Sequence, residues 1–299
     1  MAPILGRHLL LFMMPLSVLI LQIAMAAGQN TSTEAKRFTL VNNCNETIWP
    51  GILTRGNNSN GYGFALQQGQ TAFYNATAGW SGRMWARTGC SFDKNGTGTC
   101  QTGSCGTSMN CTVPSNPPNT IAEFTLGDVD FYDVSLVDGF NLPVVISPID
   151  GKGNCSIAGC DGDLRQNCSS GLAVKSDGKV IACRSACDAF NTDEYCCRGA
   201  YADPVACLPT NYSRSFKQVC PAAASYAFDD SLSIITCSAS EYVVTFCASR
   251  NQKVCSYHDN KLGCNTSNGS KASPLGLGGW ILVLALPLTY NLKMQFYLS

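Results

Sequence analysis

Apolar and polar positions alternate in short runs along the first half of the chain, with the two-residue period of strands that bury one face. Phe38-Thr39-Leu40-Val41, Thr47-Ile48-Trp49 and Gly63-Phe64-Ala65-Leu66 carry the pattern first. Clusters such as RGNNSNGYG at residues 55–63 separate these runs and read as hairpin turns. Ala122 to Leu126, Phe131 to Val137, Pro143 to Ile146 and Tyr242 to Phe246 continue the alternation. Short strands punctuated in this way predict an antiparallel β-sandwich or barrel. Between Cys155 and Cys220 the pattern changes: cysteines crowd, strand runs thin out, and two helical segments appear, near 185–191 and 211–220. In the second, Ser213 stands near the helix start, and Phe216, Val219 and Cys220 share one face. This predicts a disulfide-rich second lobe with little apolar core of its own. No Pro- or Ser-rich linker separates it, so the two lobes should pack together.

Both chain ends break the alternation. Residues 1–26 have Arg7 and His8 before an apolar run and close on Ala24-Met25-Ala26, the pattern of a cleaved secretory signal. At the other end Ser267-Asn268-Gly269-Ser270 are small, and an 11-residue spacer leads to the apolar run Trp280 to Leu288. That arrangement predicts a glycolipid (GPI) anchor attached at Asn268, with 269–299 removed and 248–268 left as a polar, cysteine-containing linker. Lys293 weakens the pattern, so a short single-span anchor or an unstructured tail is the alternative. Eleven N-x-S/T sequons agree with passage through the secretory pathway, with Asn45, Asn75 and Asn211 the favoured glycosylation sites. Asn110, Asn154 and Asn167 each precede a cysteine, whose disulfide would compete for access.

Composition narrows the function classes. Eighteen cysteines in 299 residues require an oxidising compartment and, being even in number, suit nine disulfides. The formal net charge is zero, which argues against a nucleic-acid binder. Without the two ends, 17 bases face 20 acids, a net charge of −3. The only histidines are His8 and His258, so a histidine-based catalytic triad is excluded from residues 27–247 and a zinc site is not expected. There is no phosphate-binding glycine loop, and no cofactor is expected. Acid–base chemistry would fall to carboxylates.

Five of the 20 acids lie within 16 residues: Glu123, Asp128, Asp130, Asp133 and Asp138, interleaved with Phe124, Phe131, Tyr132 and Phe140. Paired carboxylates beside aromatic faces are what a polysaccharide site needs, because one acid must hold its proton while its partner stays ionised. On a straight strand, however, Asp133 and Asp138 point to opposite faces, so solvated strand and turn acids explain the spacing equally well.

The stretches GWSGRMWARTGCSFDKNGTGTCQTGSCG, AEFTLGDVDFYDVSLVDGFNLPV, EYCCRGAY, PTNYSRSFKQVCP, SYAFDDSLSIITC and VTFC resemble the thaumatin-like, pathogenesis-related group 5 family of plants. The likeness runs from about Phe38 to Cys247 and includes 16 cysteines in family order. It implies an all-β fold: an antiparallel β-sandwich core, a disulfide-rich, partly helical lobe at about 155–220, and a small disulfide loop domain flanking a cleft. It implies bridges Cys44–Cys247, Cys90–Cys100, Cys105–Cys111, Cys155–Cys237, Cys160–Cys220, Cys168–Cys183, Cys187–Cys196 and Cys197–Cys207. Cys255–Cys264 remains as an added pair, outside the family pattern and assigned by elimination.

The family's cleft residues fall on Arg83, Glu123, Asp133, Asp138 and one of the adjacent pair Asp229 and Asp230, between which the resemblance does not choose. The function implied is a secreted, monomeric, antifungal defence protein of the plant cell surface that binds fungal-type β-1,3-glucan or another cell-wall polysaccharide. Weak endo-β-1,3-glucanase activity would use Glu123 as general acid and Asp138 as its partner, while Arg83, Asp133 and Asp229 shape the field and the substrate contacts. The alternative is a non-catalytic glucan- or protein-binding recognition module. One departure stands out: Ser104 occupies a position where the family carries Asp, which should alter the loop domain locally and leave the cleft intact.

Overall fold

The segment KRFTLVN at 36–42 forms a strand because its even positions, Lys36, Phe38, Leu40 and Asn42, turn to the interior while the odd ones face outward. A computed structural model of the protein describes residues 34–56, 61–229 and 233–248, and the backbone of 254–258 and 261–265. The signal segment 1–26, Asp230, Asn268 and the C-terminal apolar run lie outside the described residues. In chain order the strands are β1 (Lys36–Asn42), β2 (Trp49–Thr54), β3 (Gly61–Gly63), β4 (Thr71–Ala76), β5 (Ser81–Arg87), β6 (Ser91–Phe92), β7 (Gly98–Thr99) and β8 (Ile121–Thr125). They continue as β9 (Asp130–Ser135), β10 (Val144–Ile149), β11 (Ala158–Cys160), β12 (Ala173–Ser176), β13 (Lys179–Cys183), β14 (Ile235–Cys237), β15 (Glu241–Phe246), β16 (Val254–His258) and β17 (Lys261–Asn265). The α-helices are α1 (Ala186–Phe190), α2 (Asp193–Cys196) and α3 (Asn211–Val219).

Two sheets face each other, as the alternation predicts. One has the order β11-β10-β15-β1-β4, the other β14-β9-β8-β5-β2-β3. Their neighbours pair antiparallel except β1 and β15, which run parallel, so the first strand lies beside the last. Between the sheets pack Phe38, Leu40, Met84, Phe124, Tyr132, Val144, Tyr242 and Phe246, all buried. Phe38 meets Phe124 edge-on with ring centroids 4.7 Å apart, and Tyr132 meets Tyr242 at 5.1 Å. These edge-to-face contacts cross from one sheet to the other.

A charge sits in the same interior. Asp130, fully buried on β9, is ion-paired with Lys36 on β1. Its Oδ2 also accepts from the Tyr242 hydroxyl at 2.7 Å, and its Oδ1 from the Gly127 amide at 3.1 Å. Lys36 Nζ donates a further bond to the Ala239 carbonyl at 2.9 Å. Lys36 and Asp130 thereby each have a hydrogen-bond partner besides the other.

Eight disulfides join the cysteines that the resemblance pairs, from Cys44–Cys247, which ties the end of β1 to the end of β15, to Cys197–Cys207 in the second lobe. The backbone register of the β16–β17 hairpin sets Cys255 opposite Cys264. In the second lobe α3 begins with a reciprocal cap: Thr210 and Ser213 each bond the other's backbone amide. Phe216 and Cys220 point from α3 into the core. The loop domain around β6 and β7 closes over Trp85 and Arg87 on the outer side of β5. There the Ser104 hydroxyl donates to the Gly106 carbonyl at 3.2 Å, a local turn contact. Arg87 is buried against main-chain carbonyls, including Met109 at 2.8 Å and Trp49 at 3.0 Å, and burial lowers its pKa to about 10.

Candidate functional site

Three of the predicted cleft residues form one row across three strands. The register of β5 and β8 pairs Arg83 with Glu123, and that of β8 and β9 pairs Glu123 with Asp133. Directly opposed residues share a face, so the guanidinium and two carboxyls project together from the outer side of the six-stranded sheet. Arg83 Nε donates to Glu123 Oε1 at 2.8 Å, with 33% of the Arg83 side chain and 14% of the Glu123 side chain exposed. Asp133 is more enclosed, at 5% exposure. An open cleft of about 400 Å³ lies over this row, lined also by Arg55, Ser81, Thr125, Phe131 and Ile234.

Burial raises all three carboxyls of the region above the ordinary carboxylate range. For Glu123 the Arg83 cation opposes that rise, Asp138 adds to it, and Arg55 opposes it. For Asp133 the rise is large: burial leads, the Glu123 charge reinforces it, and Arg83 pulls back. For Asp138 burial again leads, opposed by Arg83 and helped by Asp188. Glu123 and Asp133 therefore titrate as a pair, since the first to lose its proton makes the second harder to ionise. Such a set can keep a proton on one acid while a neighbour is charged.

Asp138 is not among the residues lining the cleft, but it interacts electrostatically with Arg83 and Glu123, because the strand does not continue to it. β9 stops at Ser135, and Val137 and Asp138 form a turn, which removes the opposite-face objection raised by straight-strand geometry. Asp229 is placed differently. Its Oδ2 accepts from the Ser225 amide at 2.6 Å, the Ser225 hydroxyl at 2.9 Å and Lys217 Nζ at 3.0 Å, so it ties the 225–229 turn to α3. Asp130 leaves the acid cluster altogether for the interior. Of the four interleaved aromatics Phe131 and Phe124 border the cleft; Phe124 is nevertheless buried, and with Tyr132 and Phe140 it belongs to the core, because alternation turns them inward. Arg55 is the cleft residue that the acid-centred reading missed; a lone arginine beside a glycine-rich turn carries no pattern to reveal it. Among the described residues no cluster of three His, Cys, Asp or Glu side chains is placed to hold a metal ion.

Comparison with known proteins agrees with this architecture. The profile of the thaumatin family matches residues 42–248. A pathogenesis-related thaumatin-like protein 3.5 of Cryptomeria japonica is 53% identical over 215 residues, covering 71% of this chain and 90% of that protein. Pathogenesis-related protein 5 of Arabidopsis thaliana is 52% identical over 217 residues, covering 71% and 90%. Thaumatin-like protein 1 of the same plant is 43% identical over 260 residues, covering 82% of this chain and 97% of its own length.

Proposed function

Because the chain belongs to the thaumatin family, we propose that it is a secreted defence protein of the plant cell surface that binds β-1,3-glucan in its acidic cleft. The observation that carries this reading is the in-register row Arg83–Glu123–Asp133 beneath an open cleft, with Phe131 beside it. A sugar chain offers hydroxyls to charged acceptors and donors and an apolar ring face to an aromatic, and this surface presents both. The relatives' names supply the defence role, and the disulfides suit an extracellular protein. The leader 1–26 and an anchor at Asn268 would place the protein on the outer face of the plasma membrane or, without the anchor, in the apoplast.

Weak endo-glucanase activity belongs to the proposal. Glu123, with its carboxyl raised by burial, would hold a proton for the leaving oxygen, and Asp138 would supply the partner carboxylate. The direct Arg83–Glu123 ion pair favours the second reading, a module that binds without turnover, because the cation stabilises Glu123 in the form that cannot donate. The deciding experiment measures retention on insoluble β-1,3-glucan and reducing-end release with one preparation. Release lost in Glu123→Gln supports the enzyme, and retention without release supports the binder. Absence of both removes the glucan reading. Release of the protein from membranes by a phosphoinositide-cleaving phospholipase tests the anchor.

A further inference from the structure

The outer face of the five-stranded sheet carries an aromatic side chain that, among the described residues, is left largely exposed. Phe73, on the edge strand β4, is 65% exposed, although strand register and neighbours are well defined around it. Asn75 is exposed two residues further along the same strand, hence on the same face, and Thr77 follows, exposed, where the strand ends. Phe73-Tyr74-Asn75-Ala76-Thr77 is therefore a glycosylation sequon with an aromatic at the position whose side chain neighbours the asparagine. Arg37 on β1 approaches the Phe73 ring. Arg37 stands opposite Asn75 in the register, not opposite Phe73, yet its guanidinium lies 5.4 Å from the Phe73 ring centre. Arg37 thus links the Phe73 ring to the strand position that faces Asn75. Arg37 is itself held by Glu241 at 2.5 Å, which steadies one side of the ring and leaves the rest open.

We propose that Asn75 carries an N-linked glycan whose first N-acetylglucosamine packs on the Phe73 ring, so that the sugar completes the outer face of the sheet. A pyranose has an apolar face of axial C–H groups that suits an aromatic ring, and the linkage length from Asn75 brings it to a same-face i−2 neighbour. The covalent step joins Asn75 Nδ2 to the anomeric carbon of the sugar. The anomeric carbon–oxygen bond to a lipid pyrophosphate carrier breaks, the pyrophosphate leaves with the electron pair, and the amide gives up one proton. The same glycan shields β4, which among the described residues is an edge strand with no strand paired on its outer side. The inference rests on the secretion part of the proposed function and is independent of glucan binding.

The test uses the full chain secreted from a host that attaches oligomannose glycans, with sugars then trimmed to one N-acetylglucosamine. Mass spectrometry should find Asn75 occupied. Thermal unfolding of wild type, Asn75→Gln, Phe73→Val and the double variant should give a loss of several degrees for Asn75→Gln in the wild-type background. That loss should shrink to near zero when Phe73 is already replaced, and Thr77→Ala, which removes the glycan while keeping asparagine, should reproduce it. An empty Asn75 in a chain glycosylated elsewhere overturns the inference. So does an Asn75→Gln effect that is the same with and without Phe73. A chain that stays inside the cell with no glycan at any sequon overturns secretion as well, whereas a secreted chain with Asn75 empty overturns only the inference, which separates the two failures.

Discussion

Replacing Lys36 with methionine isolates the worth of the buried charge between the sheets. The substitution keeps the length of the side chain and removes the ammonium, which leaves Asp130 fully buried with only the Tyr242 hydroxyl and the Gly127 amide as partners. The Ala239 carbonyl loses its Lys36 donor as well. Breaking a buried ion pair from one side costs about 3–5 kcal/mol, because the remaining charge keeps its desolvation cost without compensation. For a domain of this size about 2–4 °C of Tm accompanies each kcal/mol, so Lys36→Met should lower Tm by roughly 6–20 °C. The double variant Lys36→Met/Asp130→Asn removes the charge and keeps an acceptor for Tyr242, and it should recover most of the loss. Differential scanning calorimetry with disulfides intact, supported by guanidinium unfolding, reads both. A single variant within about 3 °C of wild type, or a double variant no better than the single, refutes the account.

Three further outcomes follow from the same geometry. Asp133 has a folded pKa well above the ordinary aspartate value of 3.8, so the folded state holds a proton the unfolded chain has released, and stability falls as pH rises through that interval. Asp133→Asn should therefore raise Tm by a few degrees at pH 7 and leave it unchanged at pH 3, as followed by circular dichroism. Arg83→Gln removes the cation that opposes the rise in Glu123 and Asp133, so it should destabilise by about 1–3 kcal/mol at neutral pH and hardly at all at pH 3; denaturant titration at the two pH values measures the difference. The Cys44→Ser/Cys247→Ser variant releases a closure between residues 203 apart and should lose up to about 5 kcal/mol, read from denaturant midpoints.

The strands that alternate most regularly were legible from sequence. KRFTLVN, IAEFT and EYVVTF each have one buried face, and their observed bounds lie within a residue or two of the expected runs. β5, which carries Arg83, was not among the runs read as strands. Its outward positions include Trp85 and Arg87, both covered by the loop domain, so the two faces no longer differ in polarity. Residues 71–76 were missed for a related reason: Phe73 faces outward, against the pattern. The acids of the site were visible as a cluster, but their sorting was not. Whether Asp130 or Asp133 faces the cleft depends on where β9 starts and turns, and the alignment of Arg83 with Glu123 depends on a register between distant segments. Two of the three second-lobe α-helices were visible, at 185–191 and 211–220; the short helix Asp193–Cys196 was not, and the second start is capped by Thr210, with Ser213, the residue the sequence pointed to, as its reciprocal partner. The disulfide partners were accessible only through family resemblance, since spacing alone does not fix connectivity.

The place of β15 in its sheet has a consequence for how the chain is made. β15 is the last strand of the sandwich in sequence, yet it lies in the middle of the five-stranded sheet, between β10 and β1. During vectorial synthesis β1 can pair with β4 early, and β10 with β11, but the two halves have no common partner until β15 emerges. Until then the edges of β1 and β10 stay open, and the oxidation of Cys44 with Cys247 must wait for the same segment. Such long-range pairing makes folding slow and leaves the nascent chain exposed to edge-to-edge association. A chain ended by a premature stop before residue 241 should therefore fail as a whole sheet, and quality control in the secretory pathway should read the arrival of this one strand as completion.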